Sequence, residues 1–512
     1  MFILATTQGT ETTLPPHPYQ AEEFTNREDA LGLIEDRVYK GLSGRRIPQP
    51  VVICWGVNGI GKSWFLNHVA EKYRFPPRKR SPGPKRAFST LVDFRGFSPT
   101  PGDWTQLLST IVAQATDQLD AHIAPAAEAL TAFRQAADAI LAGTSTLDDL
   151  ARHFTAFFDA LTTDFVPLLL FDSTEILAEE YLDDFDWFEE HIVAPLVRYN
   201  QALTVFASRR ELRHWRQFEV RRRIIRLELK AFSPKELEEQ FKKAQVKDFG
   251  LVGNVLYPYA FGHPYTAWHL QQRLEALRAP ERSFDQEFVA SASSEVVNLL
   301  DEVVGWLLVD VRATLRAELH MASVLRKFHI NSLRYILSEL ADEAYSDRSD
   351  SSFLDLISDM VATNLVRYSS AHQGYIVDAT VRRLLNLSVR LQQPVEYQHR
   401  QTVALTLYEN WIKELPENCG GFFIEALFHI AAGAKAAELS LEAAWERIET
   451  LLQKSLDPAK FDLEGANFLV EELQRDTELQ EMLSEPPFEE KSFFNLLQRV
   501  EAFREQVGNA AS

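Results

Sequence analysis

The chain has 512 residues, 46% hydrophobic and 25% charged, with a formal net charge of −20; this is apolar material for three or four domains with real cores. The acidic balance excludes a protein held to nucleic acid by broad phosphate neutralisation, while leaving room for a local basic patch. No run approaches the roughly 18 apolar residues of a membrane span, and the opening "MFILA" lacks the basic start and apolar length of a signal peptide.

Cys54 and Cys419 supply neither a disulfide framework nor metal-ligand spacing. The expected setting is therefore the cytoplasm, with reduced thiols and no membrane partner. After a leader of 22 residues, "FTNREDALGLIEDRV" (24–38) predicts an amphipathic helix capped by Thr25 or Asn26. The next stretch, "VVICWGVNGIGKSWFL" (51–66), reads as strand, glycine-rich loop and helix. A polyphosphate is held by backbone N–H groups at a helix N-terminus, and Gly56, Gly59 and Gly61 let the chain approach closely enough. Lys62 is placed to reach the outer phosphates, and the Ser63 hydroxyl to ligate a magnesium ion shared with the nucleotide.

"YRFPPRKRSPGPKR" (73–86) carries six basic residues in a Pro-rich setting and reads as a solvated linker. A second strand, "STLVDFRGF", ends at Gly96; helix follows from "WTQLLSTIVAQATDQL" through an Ala-rich stretch to about Leu161. The third strand, "VPLLLFD", is too apolar to alternate and is expected to be buried on both faces. "ALTVFAS" and "RIIRLEL" complete the set. Strands alternating with helices over 23–230 predict a parallel sheet covered on both sides, with its ligand at the carboxyl ends of the strands. The run Arg221 to Arg223 reads as surface, with a partner-facing role as the second reading.

Beyond Lys230, "SPKELEEQFKKAQV" opens with Ser233 as cap, Pro234 at the first position and Glu236 closing a capping box. A helical lid is expected over 231–298. Helical periodicity from Val311 to Thr363, then "LVRYSS" and "GYIVD", suggests a winged helix over 299–390. The remainder, 391–512, is helical and increasingly acidic. The fold class is thus multidomain α/β plus α.

A magnesium-nucleotide site needs an acid at the end of a neighbouring buried strand. Asp172 closes "LLLFD" in that position, although an Asp there can also cap the following helix. Glu175, three residues on, is a candidate to orient water. Ser208, Arg209 and Arg210 close the fourth strand, where they either sense a γ-phosphate or simply open a surface helix.

The order "FTNRE", "GVNGIGKS", "LLLFD", "VFASRR", "LELKAFSPKELEEQF" and "AFGHPYTAWHL" resembles the STAND class of P-loop NTPases, the relatives of AAA+ proteins that include NB-ARC and NACHT regulators, over about 70% of the chain. The resemblance implies that Asn26 and Arg27 lie near adenine and ribose, that Gly56, Asn58, Gly59, Ile60, Gly61, Lys62 and Ser63 cradle the phosphates, and that Trp64 belongs to the nucleotide-binding set. It further implies that Asp172 holds magnesium with Ser63, that Arg209 is the sensor arginine, and that Pro264 packs on the base. Adenine is favoured because no Asn-Lys-x-Asp segment is present to read guanine. Two positions depart from the pattern: Ser173 stands where a second acid often follows Asp172, and Ile376-Val377-Asp378 replaces the Met-His-Asp triplet of the NB-ARC branch.

What the resemblance implies is a slow ATPase acting as an ATP/ADP switch, which recruits a separate effector or sensor protein and forms homo-oligomers when activated. The competing reading is a DNA-binding AAA+ initiator or transcription regulator. Its wing, "YSSAHQGY", carries no Lys or Arg, although Arg382 and Arg383 follow.

Overall fold

The computed structural model describes residues 18–76, 84–199, 201–279, 281–309, 311–341, 345–370, 372–415, 419–458 and 461–511. Pro15–Ala292 forms one compact unit, and Ser293–Ser512 makes up the body of a second.

The first unit is built on five parallel strands: β1 (Val51–Trp55), β2 (Arg86–Asp93), β3 (Phe165–Asp172), β4 (Leu203–Ser208) and β5 (Ile224–Glu228), in the order β2-β3-β4-β1-β5. All eight residues of β3 and all six of β4 are buried, as expected of central strands with helices on both faces. The aromatic residues that make these strands apolar pack on one another: Phe171 stacks on Phe206 at 5.1 Å, and Phe188 meets Phe171 edge-on at 5.2 Å. Because β4 lies between β1 and β3, the carboxyl ends of the glycine-loop strand, the Arg209 strand and the Asp172 strand stand side by side.

The helix before β1 spans Glu28–Leu42, with Arg27 rather than Thr25 or Asn26 at its N-cap and no side-chain cap. The Thr25 hydroxyl instead donates to the Glu23 carbonyl at 2.9 Å, while Asn26 and Arg27 have positive φ of 43° and 135°. The expected helical run to Leu161 is two α-helices, Ala127–Leu141 and Leu147–Leu161. Three of the six basic residues of the 73–86 linker, Arg78, Lys79 and Arg80, lie outside the described residues.

After β5, helices Pro234–Lys243, Phe249–Ala260, Pro264–Leu277 and Gln286–Ser291 follow. The first opens on the capping box, with the Glu236 amide bonded to Ser233 Oγ and the Ser233 amide to the Glu236 carboxylate. In the second unit, helix Ser293–Leu307 packs on Ala379–Gln392. Helices Ala313–Ala322, Ile330–Leu340 and Asp350–Ala362 lead into an antiparallel hairpin of β6 (Val366–Ser369) and β7 (Gly374–Val377). Six further helices run from Pro394 to Ala511.

Candidate nucleotide site

The glycine-rich loop leaves β1 at Gly56 and enters helix Lys62–Lys72 with Gly61 as its left-handed N-cap residue, φ 101°. A side chain at Gly61 would meet nothing within 4 Å, so the loop surface there is open and the helix N-terminus faces it. Lys62 Nζ donates to the carbonyls of Gly56 and Val57 at 2.7 and 3.0 Å. Burial depresses its pKa, against the opposing pull of Glu175 and then Asp172. The ammonium is thus folded over the loop it would leave to reach a phosphate.

The Ser63 hydroxyl bonds to Asp172, whose carboxyl is raised by burial despite that bond, with the nearby charge of Asp93 adding to the rise. Asp172 also accepts from the Ser173 amide at 2.9 Å. Serine, carboxylate and loop therefore converge as a magnesium-nucleotide site requires, and these residues fit such a group. Glu175 is buried and likewise raised by burial, opposed first by Lys62. It is gripped by Arg209, whose backbone amide and Nε each lie 3.2 Å from a carboxylate oxygen.

Sequence reasoning missed Asp93. In the β2/β3 register it stands opposite Asp172, and the Ser173 side chain bonds to it. A carboxylate from the next strand thus meets the serine that occupies the second-acid position. Arg95 holds it through its amide at 2.9 Å and Nε at 2.6 Å; although burial pushes the other way, these bonds keep the Asp93 carboxyl below its ordinary range. The available signal was that Asp93 closes its strand as Asp172 closes its own.

The second residue missed is His263. It is fully buried, with Nε2 2.6 Å from the Asn58 carbonyl and Nδ1 2.7 Å from the Thr266 hydroxyl. A carbonyl only accepts, so Nε2 carries the proton and Nδ1 accepts from Thr266. Burial pushes the imidazole down to about 4, fixing it neutral. The contact is close: a Cβ on Gly59, at φ 74°, would lie 2.6 Å from the ring and 2.8 Å from Tyr265. Pro264, next in the chain, opens helix Pro264–Leu277, and its carbonyl accepts from Gln240 at 3.3 Å.

Arg27 makes a second tie. Its two terminal nitrogens donate to the Ile60 and Lys230 carbonyls, each at 2.7 Å, and its guanidinium lies 4.6 Å from the Phe232 ring centroid. Burial lowers its pKa to about 10. It therefore joins the phosphate loop to the entry of the helical segment. Trp64 meets Tyr19 edge-on at 5.4 Å, and Phe24 stacks on His68 at 3.9 Å, lining the same helix with aromatic rings.

No protein-family model matches the chain, and a comparison with curated proteins finds no match. Among solved structures, a Walker-type ATPase of Pyrococcus abyssi is similar over 73% of this chain and 99% of its own, at 13% identity and a TM-score of 0.46. The Orc1 protein of Aeropyrum pernix, in complex with DNA, is similar over 73% and 95%, at 14% and 0.36. A signal transduction ATPase with numerous domains and a tetratricopeptide repeat sensor, from Pyrococcus horikoshii, is similar over 96% of this chain and 69% of its own, at 14% and 0.29.

Proposed function

We propose that this chain is an ATP/ADP-dependent switch of the STAND kind, in which the helices after β5 act as a lid that reads the state of the phosphate loop. The observation that carries this reading is the double tie of that segment to the loop, His263 to Asn58 and Arg27 to Ile60 and Lys230. A ligand shifts a conformational equilibrium only through differential affinity for its states, and here any adjustment of loop carbonyls on nucleotide binding is felt directly by the lid.

In this reading Gly56 to Ser63 hold the phosphates, Lys62 swings from the loop carbonyls to the outer phosphates, and Ser63 with Asp172 holds magnesium, which supplies charge neutralisation when bound. Asn26, Arg27 and Pro264 border the base and sugar. Arg209 would leave Glu175 to sense the γ-phosphate, and the freed Glu175 would orient water, giving slow turnover. Residues 299–390 serve as a winged helix. The output is recruitment of a separate effector or sensor protein and homo-oligomer assembly.

Two arginines that a DNA-regulator reading would use are paired within the second unit. Arg382 Nη2 is 2.5 Å from the Glu478 carboxylate, and Arg383 pairs with Glu478 and Glu481 at 3.3 and 3.1 Å. The arginines that follow the hairpin are thereby engaged within the chain.

The deciding experiment is hydrogen exchange of the full chain with ADP, with a non-hydrolysable ATP analogue and with neither, alongside calorimetric titration. Nucleotide binding that leaves exchange over 231–292 the same in all three states would end the switch reading while keeping the nucleotide site.

A further inference from the structure

At the end of the sheet opposite the nucleotide site, the loops that enter the strands carry a second chemical character. Exposed there are Arg45 and Arg46 ahead of β1, Arg198 and Tyr199 ahead of β4, and Phe218, Arg221 and Arg222 ahead of β5. These loops join one another. The Lys85 amide donates to the Leu42 carbonyl at 3.2 Å, and Lys85 Nζ lies 3.3 Å from Gln201 Oε1. Arg223 Nη1 donates to the Val197 carbonyl at 2.7 Å, and the Val51 amide to the Arg223 carbonyl at 3.3 Å.

In a chain of net charge −20, an arginine face of this kind is a local reversal of sign. Arg222 and Arg223 share Glu219, at 2.5 and 3.1 Å. Among the described residues no ion pair engages Arg45, Arg46, Arg198 or Arg221. Carboxylates at this end include the exposed Glu219, Asp159 and Asp164, and the buried Glu189 feels the charge of Arg221. Tyr199 is 57% and Phe218 64% exposed, the Phe218 ring with the Arg222 guanidinium 5.6 Å from its centroid.

We infer that this face binds single-stranded nucleic acid, in addition to the nucleotide bound at the opposite end of the sheet. The cations are guanidinium forks, which match phosphate and carboxylate oxygens alike; two further features select nucleic acid over an acidic protein surface. Strands stand about 4.8 Å apart, so the adjacent starts of β4, β1 and β5 distribute the arginines over about 10 Å, the reach of two or three nucleotides. The exposed rings offer stacking platforms that an acidic peptide does not use and that unpaired bases do.

The test uses the full chain and fluorescent single-stranded DNA and RNA of about 20 nucleotides, with duplex DNA and polyglutamate as competitors, across a salt series from about 50 mM upward. The wild type binds the single strands, with a log affinity against log salt slope of roughly −3, at about 0.7 per neutralised phosphate. Arg45→Ala, Arg46→Ala, Arg198→Ala and Arg221→Ala combined bring the slope towards zero and weaken binding at least about tenfold. Tyr199→Ala with Phe218→Ala weakens it by a similar factor at unchanged slope. All variants keep wild-type melting temperature and ATP affinity, since none touches the nucleotide site. Absence of single-strand binding by the wild type, an unchanged slope in the arginine variant, or preference for duplex or polyglutamate would overturn the inference, and none of these would bear on the switch.

Discussion

Replacing His263 by glutamine tests how helix Pro264–Leu277 is fastened to the glycine-rich loop. The buried imidazole titrates at about 4, against roughly 6.5 in the unfolded chain. Between those values the unfolded state takes up a proton that the folded state refuses, so stability falls as pH drops through the window and levels off near its lower end. The separation corresponds to about 3 kcal/mol at the acid end. Glutamine carries no proton in this range and its amide nitrogen can still donate to the Asn58 carbonyl, but Thr266 loses its acceptor, a cost of about 1 kcal/mol. The variant should therefore be about 1 kcal/mol less stable than wild type at pH 7 and about 2 kcal/mol more stable near pH 4. Urea unfolding curves of both proteins at a series of pH values, followed by tryptophan fluorescence, give the difference directly, and every other titrating group cancels. Curves that stay parallel across the window would refute a neutral His263 bonded to the loop.

Lys62→Ala should abolish ATP and ADP binding in a folded protein; calorimetric titration with unchanged affinity would remove the phosphate-loop assignment. Glu175→Gln should bind ATP normally and hydrolyse it about 10² to 10⁴ times more slowly, read by phosphate release at saturating ATP. Asp93→Asn run in the same assay divides the water-orienting role between the two carboxylates: a loss confined to Asp93→Asn would move that role to the end of β2. In the second unit Arg326 pairs with Glu425 at 2.9 Å and Asp476 at 2.6 Å; Glu425→Ala should cost about 3 to 5 kcal/mol by leaving the buried Arg326 short of a partner, visible in calorimetric unfolding, and a shift under about 1 kcal/mol would mean water reaches the pair.

What was legible in the sequence was what depends on local pattern. The strand, loop and helix around Gly56–Ser63, the apolar run that ends in Asp172, and the Ser233–Glu236 box are all set by neighbours within a few residues. What was not legible depends on contacts across the chain. Nothing near "NRE" says that Arg27 will donate to Lys230, 203 residues on, or that its own backbone will displace Thr25 and Asn26 from the cap. The partnership of His263 with Asn58 spans 205 residues. Ser173 looked like a missing acid until the β2/β3 register brought Asp93 beside it. Arg382 and Arg383 looked available until Glu478, nearly a hundred residues later, was found in contact with them.

The cluster around Arg326 has a consequence for ancestry. Arg326 is bidentate on Glu425 at 2.9 and 3.1 Å and bonded to Asp476 at 2.6 Å, with the Phe428 ring 4.5 Å away. Although burial opposes it, the surrounding arginines, Arg382 foremost, hold the Glu478 carboxyl down at about 2. A recombination event that exchanged the tail at residue 391 would strand Arg326 and Arg382 as buried cations unless the incoming segment brought acids to the same places. A crossover at the junction of 292 and 293 would leave every one of these pairs intact. Lineages that exchange C-terminal segments on this scaffold should accordingly inherit the hairpin and the tail helices together, with the arginines at 326 and 382 and the acids at 425, 476 and 478 lost or kept as a set.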